Sequence, residues 1–103
     1  MSGHQILVIG RYEIAEKDIV DFQAAAVATA RAARQIDGNI HYSFSIDLEN
    51  PGLFHVVELW RDQSALDARL ASEEFRETGR KVAQMTVLSR SVTHYAGATA
   101  TIL

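Results

Sequence analysis

The chain contains no cysteine and a single proline in 103 residues. Without thiols there is no disulfide framework and no thiolate metal site, and a reducing cytoplasm is the compartment such a composition suits. Neither charge sign dominates. Ten basic against thirteen acidic residues leave a formal net charge of −3, and the bases are scattered, so there is no electrostatic footprint for a nucleic-acid backbone or an anionic membrane. Also lacking is any uncharged apolar run of about 18 residues, the length of a membrane-spanning helix. The opening Met1-Ser2-Gly3-His4 has no basic segment leading into an apolar stretch, so neither export nor a membrane location is expected. No Gly-rich phosphate loop follows a strand, and Ser91 lacks the flanking glycines of a nucleophile elbow. The four histidines, His4, His41, His55 and His94, lie apart without the i, i+4 pairing of a helical zinc motif, and no metal site is expected.

What is present is ordinary globular material, 48% hydrophobic and 22% charged, in a length that suits one domain over residues 1–103. Residues 5–13 form an apolar, β-branched run too short for a helix and are expected to be a strand. From Glu16 to Ile36 the apolar spacing changes to about 3.6 residues, with Ile19, Phe22, Ala26, Ala30 and Ala33 on one stripe. Asp37-Gly38-Asn39 then supplies residues that tolerate a left-handed helix end. Ile40 to Leu48 alternates with a period of two, Glu49 to Gly52 reads as a turn, and Leu53 to Trp60 completes a hairpin. A helix starts at Asp62 or Ser64, either of which can cap it, and Ser72-Glu73-Glu74 marks a second start where the helix bends. Residues 85–95 return to an extended pattern, followed by a tail with an apolar end, Ile102-Leu103.

This order predicts an α+β domain of ferredoxin-like βαββαβ type, a four-stranded antiparallel sheet with two helices on one face. The other face is then left open. Ile6 and Val8 point to one side of the first strand and Leu7 and Ile9 to the other, so both faces carry apolar residues. A homodimer packed sheet to sheet is expected, with the tail, Ala96 to Leu103, crossing to the partner or lying along its edge.

If Glu49 to Gly52 form the hairpin loop, Leu48 faces Leu53. One face then carries Tyr42, Phe44, Ile46, His55, Val57 and Leu59, and the other His41, Ser43, Ser45, Asp47, Phe54, Glu58 and Trp60. Polar groups on a covered sheet face must be hydrogen-bonded or reached by a ligand, which makes His41, Ser43, Glu58 and Trp60 candidates to line a pocket. Each also has a structural reading: Glu58 as the acceptor of a neighbour's hydrogen bond, Trp60 as a core aromatic, His41 and His55 as core or interface residues.

From Gly38 the chain runs G-x-x-x-Y-x-F and then, over residues 54–75, F-H-V-V-E-L-W-R-D-Q-S-A-L-D-A-R-L-A-S-E-E-F. This pattern resembles the antibiotic biosynthesis monooxygenase family, quinol-monooxygenase-like dimeric α/β barrels. Their signature pairs a strand ending E-x-W with a helix carrying Ala-Leu and then Ser-x-x-Phe. Glu58, Trp60, Ala65, Leu66, Ser72 and Phe75 fall in register with it. Two positions depart: Arg69 and Glu74 stand where the family often has histidine. The haem-degrading relatives place a tryptophan and a histidine where Arg69 and Gly79 stand here, so the resemblance speaks against haem.

What the resemblance implies is a monooxygenase that uses neither metal nor organic cofactor and acts on a small aromatic, quinol or anthrone-type compound, the deprotonated ring itself passing an electron to O₂. The expected catalytic residues are Glu58, Trp60 and His41, with Glu58 or His41 taking the proton. Substrate contacts are expected from Arg69, Phe75, Tyr42 and Ser43, with Arg69 either holding an anionic oxygen or standing as a solvated helix charge. Two other functions suit the same fold, a non-oxidative isomerase of small metabolites and a ligand-binding or structural homodimer without catalysis.

Overall fold

A computed structural model of the chain describes residues 4–97 and 99–103. The expectations for the chain start at residues 1–3, and for the tail at residue 98, lie outside the described residues. The elements are β1 (Ile6–Ile14), α1 (Ile19–Ala33), β2 (Asn39–Asp47), β3 (Asn50–Trp60), α2 (Gln63–Leu70), α3 (Glu73–Val82) and β4 (Val87–Ala96). One turn of 3-10 helix at Glu16–Asp18 leads into α1. The strands form a single antiparallel sheet in the order β2-β3-β1-β4, the ferredoxin-like arrangement that the βαββαβ order predicts. Among the described residues no helix is long and apolar enough to cross a membrane.

The helices cover one face of the sheet. On β1 the buried residues Ile6, Val8 and Ile14 alternate with the outward Leu7 and Ile9, as the pleat requires. Against the inward set lies the stripe of α1, where Phe22, Ala26, Thr29, Ala30 and Ala33 are buried. The alanines bring the helix backbone close to Trp60, Val56 and Tyr42, with which Ala30 and Ala33 share a core. Gly38 then reverses the chain at φ +92°, where a Cβ would lie 2.5 Å from that of Ala65. Only glycine fits there, on both counts.

The second helical stretch divides where the sequence suggests. Asp62, not Ser64, caps α2 by accepting from the Ala65 amide at 2.9 Å. Ser72 caps α3, its hydroxyl accepting from the Phe75 amide at 3.1 Å and donating to the Arg69 carbonyl at 2.7 Å. One hydroxyl therefore closes one helix and opens the next, and after this break α3 packs against α1.

The hairpin differs from the expected register. The turn is Leu48-Glu49, Asn50 already pairs with Asp47, and the ladder places Tyr42 opposite Glu58 and Phe44 opposite Val56. The connection is two residues shorter than the expected loop, and the irregularity between Ile46, which pairs with Phe54, and Asp47, which pairs with Asn50, leaves β3 one position from the expected register against β2. Because side chains alternate with a period of two, that single step exchanges the faces of β3. Tyr42, Phe44, Phe54, Val56, Glu58 and Trp60 lie under the helices. His41, Ser43, Ser45, His55, Val57 and Leu59 share the open face.

Candidate functional site

A cavity of about 490 Å³ lies between the covered sheet face, α1 and α3, within the size range of small-molecule sites. Its floor is aromatic. Tyr12 from β1 and Phe44 and Tyr42 from β2 run across it, with ring centroids 6.2 Å and 6.1 Å apart in succession. Phe22 and Thr29 of α1 form one wall, and Phe75, Gly79 and Val82 of α3 the other. Small residues make the space: a Cβ on Gly79 would have nothing within 4 Å.

At one end stands Arg69, from the last turn of α2, only 3% exposed. The helix break at Ser72 brings α3 back so that Glu74 meets this guanidinium in an ion pair. Arg69 also donates to Thr29 Oγ1 at 2.7 Å and to Tyr42 Oη at 3.4 Å. Its guanidinium carbon sits 5.5 Å from the centroid of the Tyr42 ring and 4.9 Å from that of Phe75, within cation–π range. A guanidinium carries five N–H donors. Among the described residues it meets three acceptor residues, which leaves capacity for an anionic oxygen in the cavity.

The carboxylates around Arg69 are tuned in opposite directions. Burial pushes the Glu74 carboxyl up, but hydrogen bonds with Thr78 and Thr29 and the charge of Arg69 more than offset it and hold it below its ordinary value. Glu58 behaves the other way. Burial raises it above its ordinary 4.5, and the hydrogen bond from Trp60 and the charge of Arg69 offset this only in part. Tyr42, opposite Glu58 in the ladder, is pushed well above its ordinary 10.0, by burial first and then by the Glu58 charge. A neutral tyrosine therefore sits between a buried cation and a carboxyl with raised proton affinity.

Of the residues predicted from sequence, Arg69, Phe75 and Tyr42 line this one cavity. Arg69 is buried rather than a solvated helix charge. Glu58 and Trp60 lie under the same helices, bonded to each other, but are not among the residues that line the cavity. His41 and Ser43 are on the opposite face of the sheet, where the His41 ring meets the Ser43 hydroxyl at 2.9 Å. The register shift separates them from Glu58.

Sequence reasoning missed Thr29 and the pairing role of Glu74. Thr29 left a trace as the one hydroxyl among the alanines of α1. The aromatic floor was also missed, because Tyr12, Phe44 and Tyr42 come from strands separated by β3.

The sequence pattern of the antibiotic biosynthesis monooxygenase family matches residues 5–81. The chain belongs to this family. Its fold is shared by several solved structures at low identity. A candidate antibiotic biosynthesis monooxygenase of Deinococcus radiodurans superposes with a TM-score of 0.89 at 24% identity, over 95% of this chain and 97% of that one. A conserved protein of Methanosarcina mazei gives 0.82 at 21% identity, covering 88% and 90%. The Pseudomonas aeruginosa protein PA3566 gives 0.85 at 18%, covering 96% and 99%. These likenesses establish the fold. No curated protein matches the chain in sequence. The E-x-W signature of the family is Glu58 and Trp60 here, and its Ser-x-x-Phe is the Ser72 cap and Phe75 of the cavity wall.

Proposed function

We propose that this family member is a monooxygenase of small electron-rich aromatic compounds of the hydroquinone or anthrone type, acting without a metal or an organic cofactor. The observation that carries the reading is the buried Arg69 cation at the end of an aromatic cavity. A phenol bound there gains more from ionising than it does in water, because a low-dielectric site strengthens its attraction to the guanidinium.

For an anthrone-type substrate the steps balance. The ring hydroxyl of the enol form gives up its proton, and Glu58, opposite Tyr42 in the ladder and raised in proton affinity, is the acceptor in this proposal. The resulting anion transfers one electron to O₂, leaving an aryloxyl radical and superoxide. These combine through a new C–O bond to a peroxide anion, which takes back the proton held by Glu58, and the resulting hydroperoxide loses water to give the quinone, so one O₂ yields one quinone and one H₂O. Trp60 positions Glu58 in this scheme, and His41 and Ser43 take no part in it.

The same reading includes a homodimer, because Ile9, Val57 and Tyr95 on the open sheet face are between 39% and 52% exposed. A second copy packed on that face removes them from water. The absence of cysteine suits the cytoplasm as its compartment.

An oxygen electrode with a panel of hydroquinones and anthrones tests the activity. The expected result is O₂ uptake in step with quinone formation, lost in Arg69→Ala. Conversion of a substrate without O₂ uptake would favour the isomerase reading, and no turnover across the panel would overturn the proposal.

A further inference from the structure

Arg90 of β4 lies at the other end of the same cavity. Its guanidinium carbon is 5.8 Å from the centroid of the Tyr12 ring. The floor therefore runs from Arg90 over Tyr12, Phe44 and Tyr42 to Arg69, three rings with an arginine at each end. The two arginines differ in how their charge is met. Arg69 is buried and paired with Glu74, whereas the ion pairs among the described residues do not include Arg90. Among the described residues no aspartate or glutamate lines the cavity, in a chain whose net charge is −3. A cation held over an aromatic face, open to solvent and facing a cavity without acids, is a site for an anion.

Resting on the monooxygenase reading, we infer that the substrate is an aromatic acid: a fused-ring phenol whose hydroxyl meets Arg69 and whose far ring carries a carboxylate that meets Arg90. The two ends do different work. Arg69 holds the oxygen at which charge develops during the reaction, while Arg90 holds a charge that stays constant throughout. Arg90 is thus a specificity residue. It fixes which ring of a nearly symmetric molecule lies beside Arg69, and it selects acids over their neutral analogues. Because Arg90 is exposed, its contribution is screened by salt, whereas that of the buried Arg69 persists.

The test is a binding titration at low ionic strength with two product-like probes, a hydroxyanthraquinone and the same compound with a carboxylate on its far ring. Wild type is expected to bind the carboxylate probe about tenfold more tightly, the worth of one charge-assisted contact. Arg90→Gln removes that preference, so that the two probes bind alike. Molar salt also removes it. Arg69→Gln weakens both probes alike. Equal affinities in wild type, or a preference that survives in Arg90→Gln, would overturn the inference while leaving the cavity as a ligand site. Failure of both probes to bind would overturn it together with the proposed function. A carboxylate preference without any O₂ uptake would overturn the monooxygenase reading alone.

Discussion

The Trp60 indole nitrogen donates to Glu58 Oε1 at 2.9 Å, and both residues are buried. They stand two positions apart on β3, so the period of the strand puts them on one face and within reach of each other. Trp60 thereby meets the hydrogen-bonding need of its own N–H and part of that of the carboxyl. The remaining cost of burying Glu58 appears as its raised pKa.

This pair makes stability depend on pH with a definite sign. An acid whose folded-state pKa is raised binds a proton that the unfolded chain has already released, so stability falls as pH rises from the ordinary 4.5 through the folded value. Glu58→Gln is expected to lose this decline, since its amide oxygen still accepts from Trp60, and to be at least as stable as wild type at neutral pH. Turnover should drop on the order of 100-fold, as for removal of a proton acceptor. Urea denaturation across the pH range checks the first expectation. A variant less stable than wild type at neutral pH would show that the ionised carboxylate supports the fold.

Arg69 joins stability to binding. Arg69→Ala leaves Glu74 without its cation and Thr29 and Tyr42 without their donor, and should cost about 1.5–3 kcal/mol in chemical denaturation. Arg69→Lys keeps the charge but not the planar fork that reaches these partners together, so it should recover only part of the loss. An alanine variant as stable as wild type would mean that the network bears no load in the folded protein.

Gly79 offers a way to fill the cavity from the helix side. It sits within α3 with open space where its Cβ would be, and it lines the cavity. Gly79→Ala should stabilise the protein by about 0.5–1 kcal/mol through helix propensity. Gly79→Leu projects a side chain into the space a ligand needs and should weaken binding of either anthraquinone probe at least tenfold, on the order of one lost strong contact. Unchanged affinity in the leucine variant would place the ligand elsewhere.

Val57 lies on the open face of β3, 39% exposed in the single chain. If two sheets pack face to face, Val57→Glu buries a carboxylate from each copy in an apolar interface. The variant should then sediment as a monomer of 11.4 kDa while wild type runs as a dimer. Circular dichroism should show the fold retained. A dimer that survives the substitution would put the interface on another surface.

Local physics made much of this protein legible from its residues. The change from a period of two to one near 3.6 marks the strands and α1. Oxygen-bearing side chains at Asp62 and Ser72 mark the two helix starts, and alternation along β3 puts Glu58 and Trp60 on one face. Each of these depends on neighbours a few positions apart, so the chain carries the information in place.

The site depends on distances that no local rule supplies. Whether Glu58 shares a face with Tyr42 or with His41 turns on an irregularity of pairing between Ile46 and Asp47 that the composition does not announce, because one step of register exchanges the faces of a strand. Arg69 reads as a surface charge until α3 folds back to bring Glu74, and α1 brings Thr29 from forty positions away. The aromatic floor between Arg69 and Arg90 exists only because antiparallel pairing sets β2, β3 and β1 side by side. Hydrogen bonds and packing choose among side-chain partners only after the backbone has brought them together, and that choice belongs to the tertiary structure.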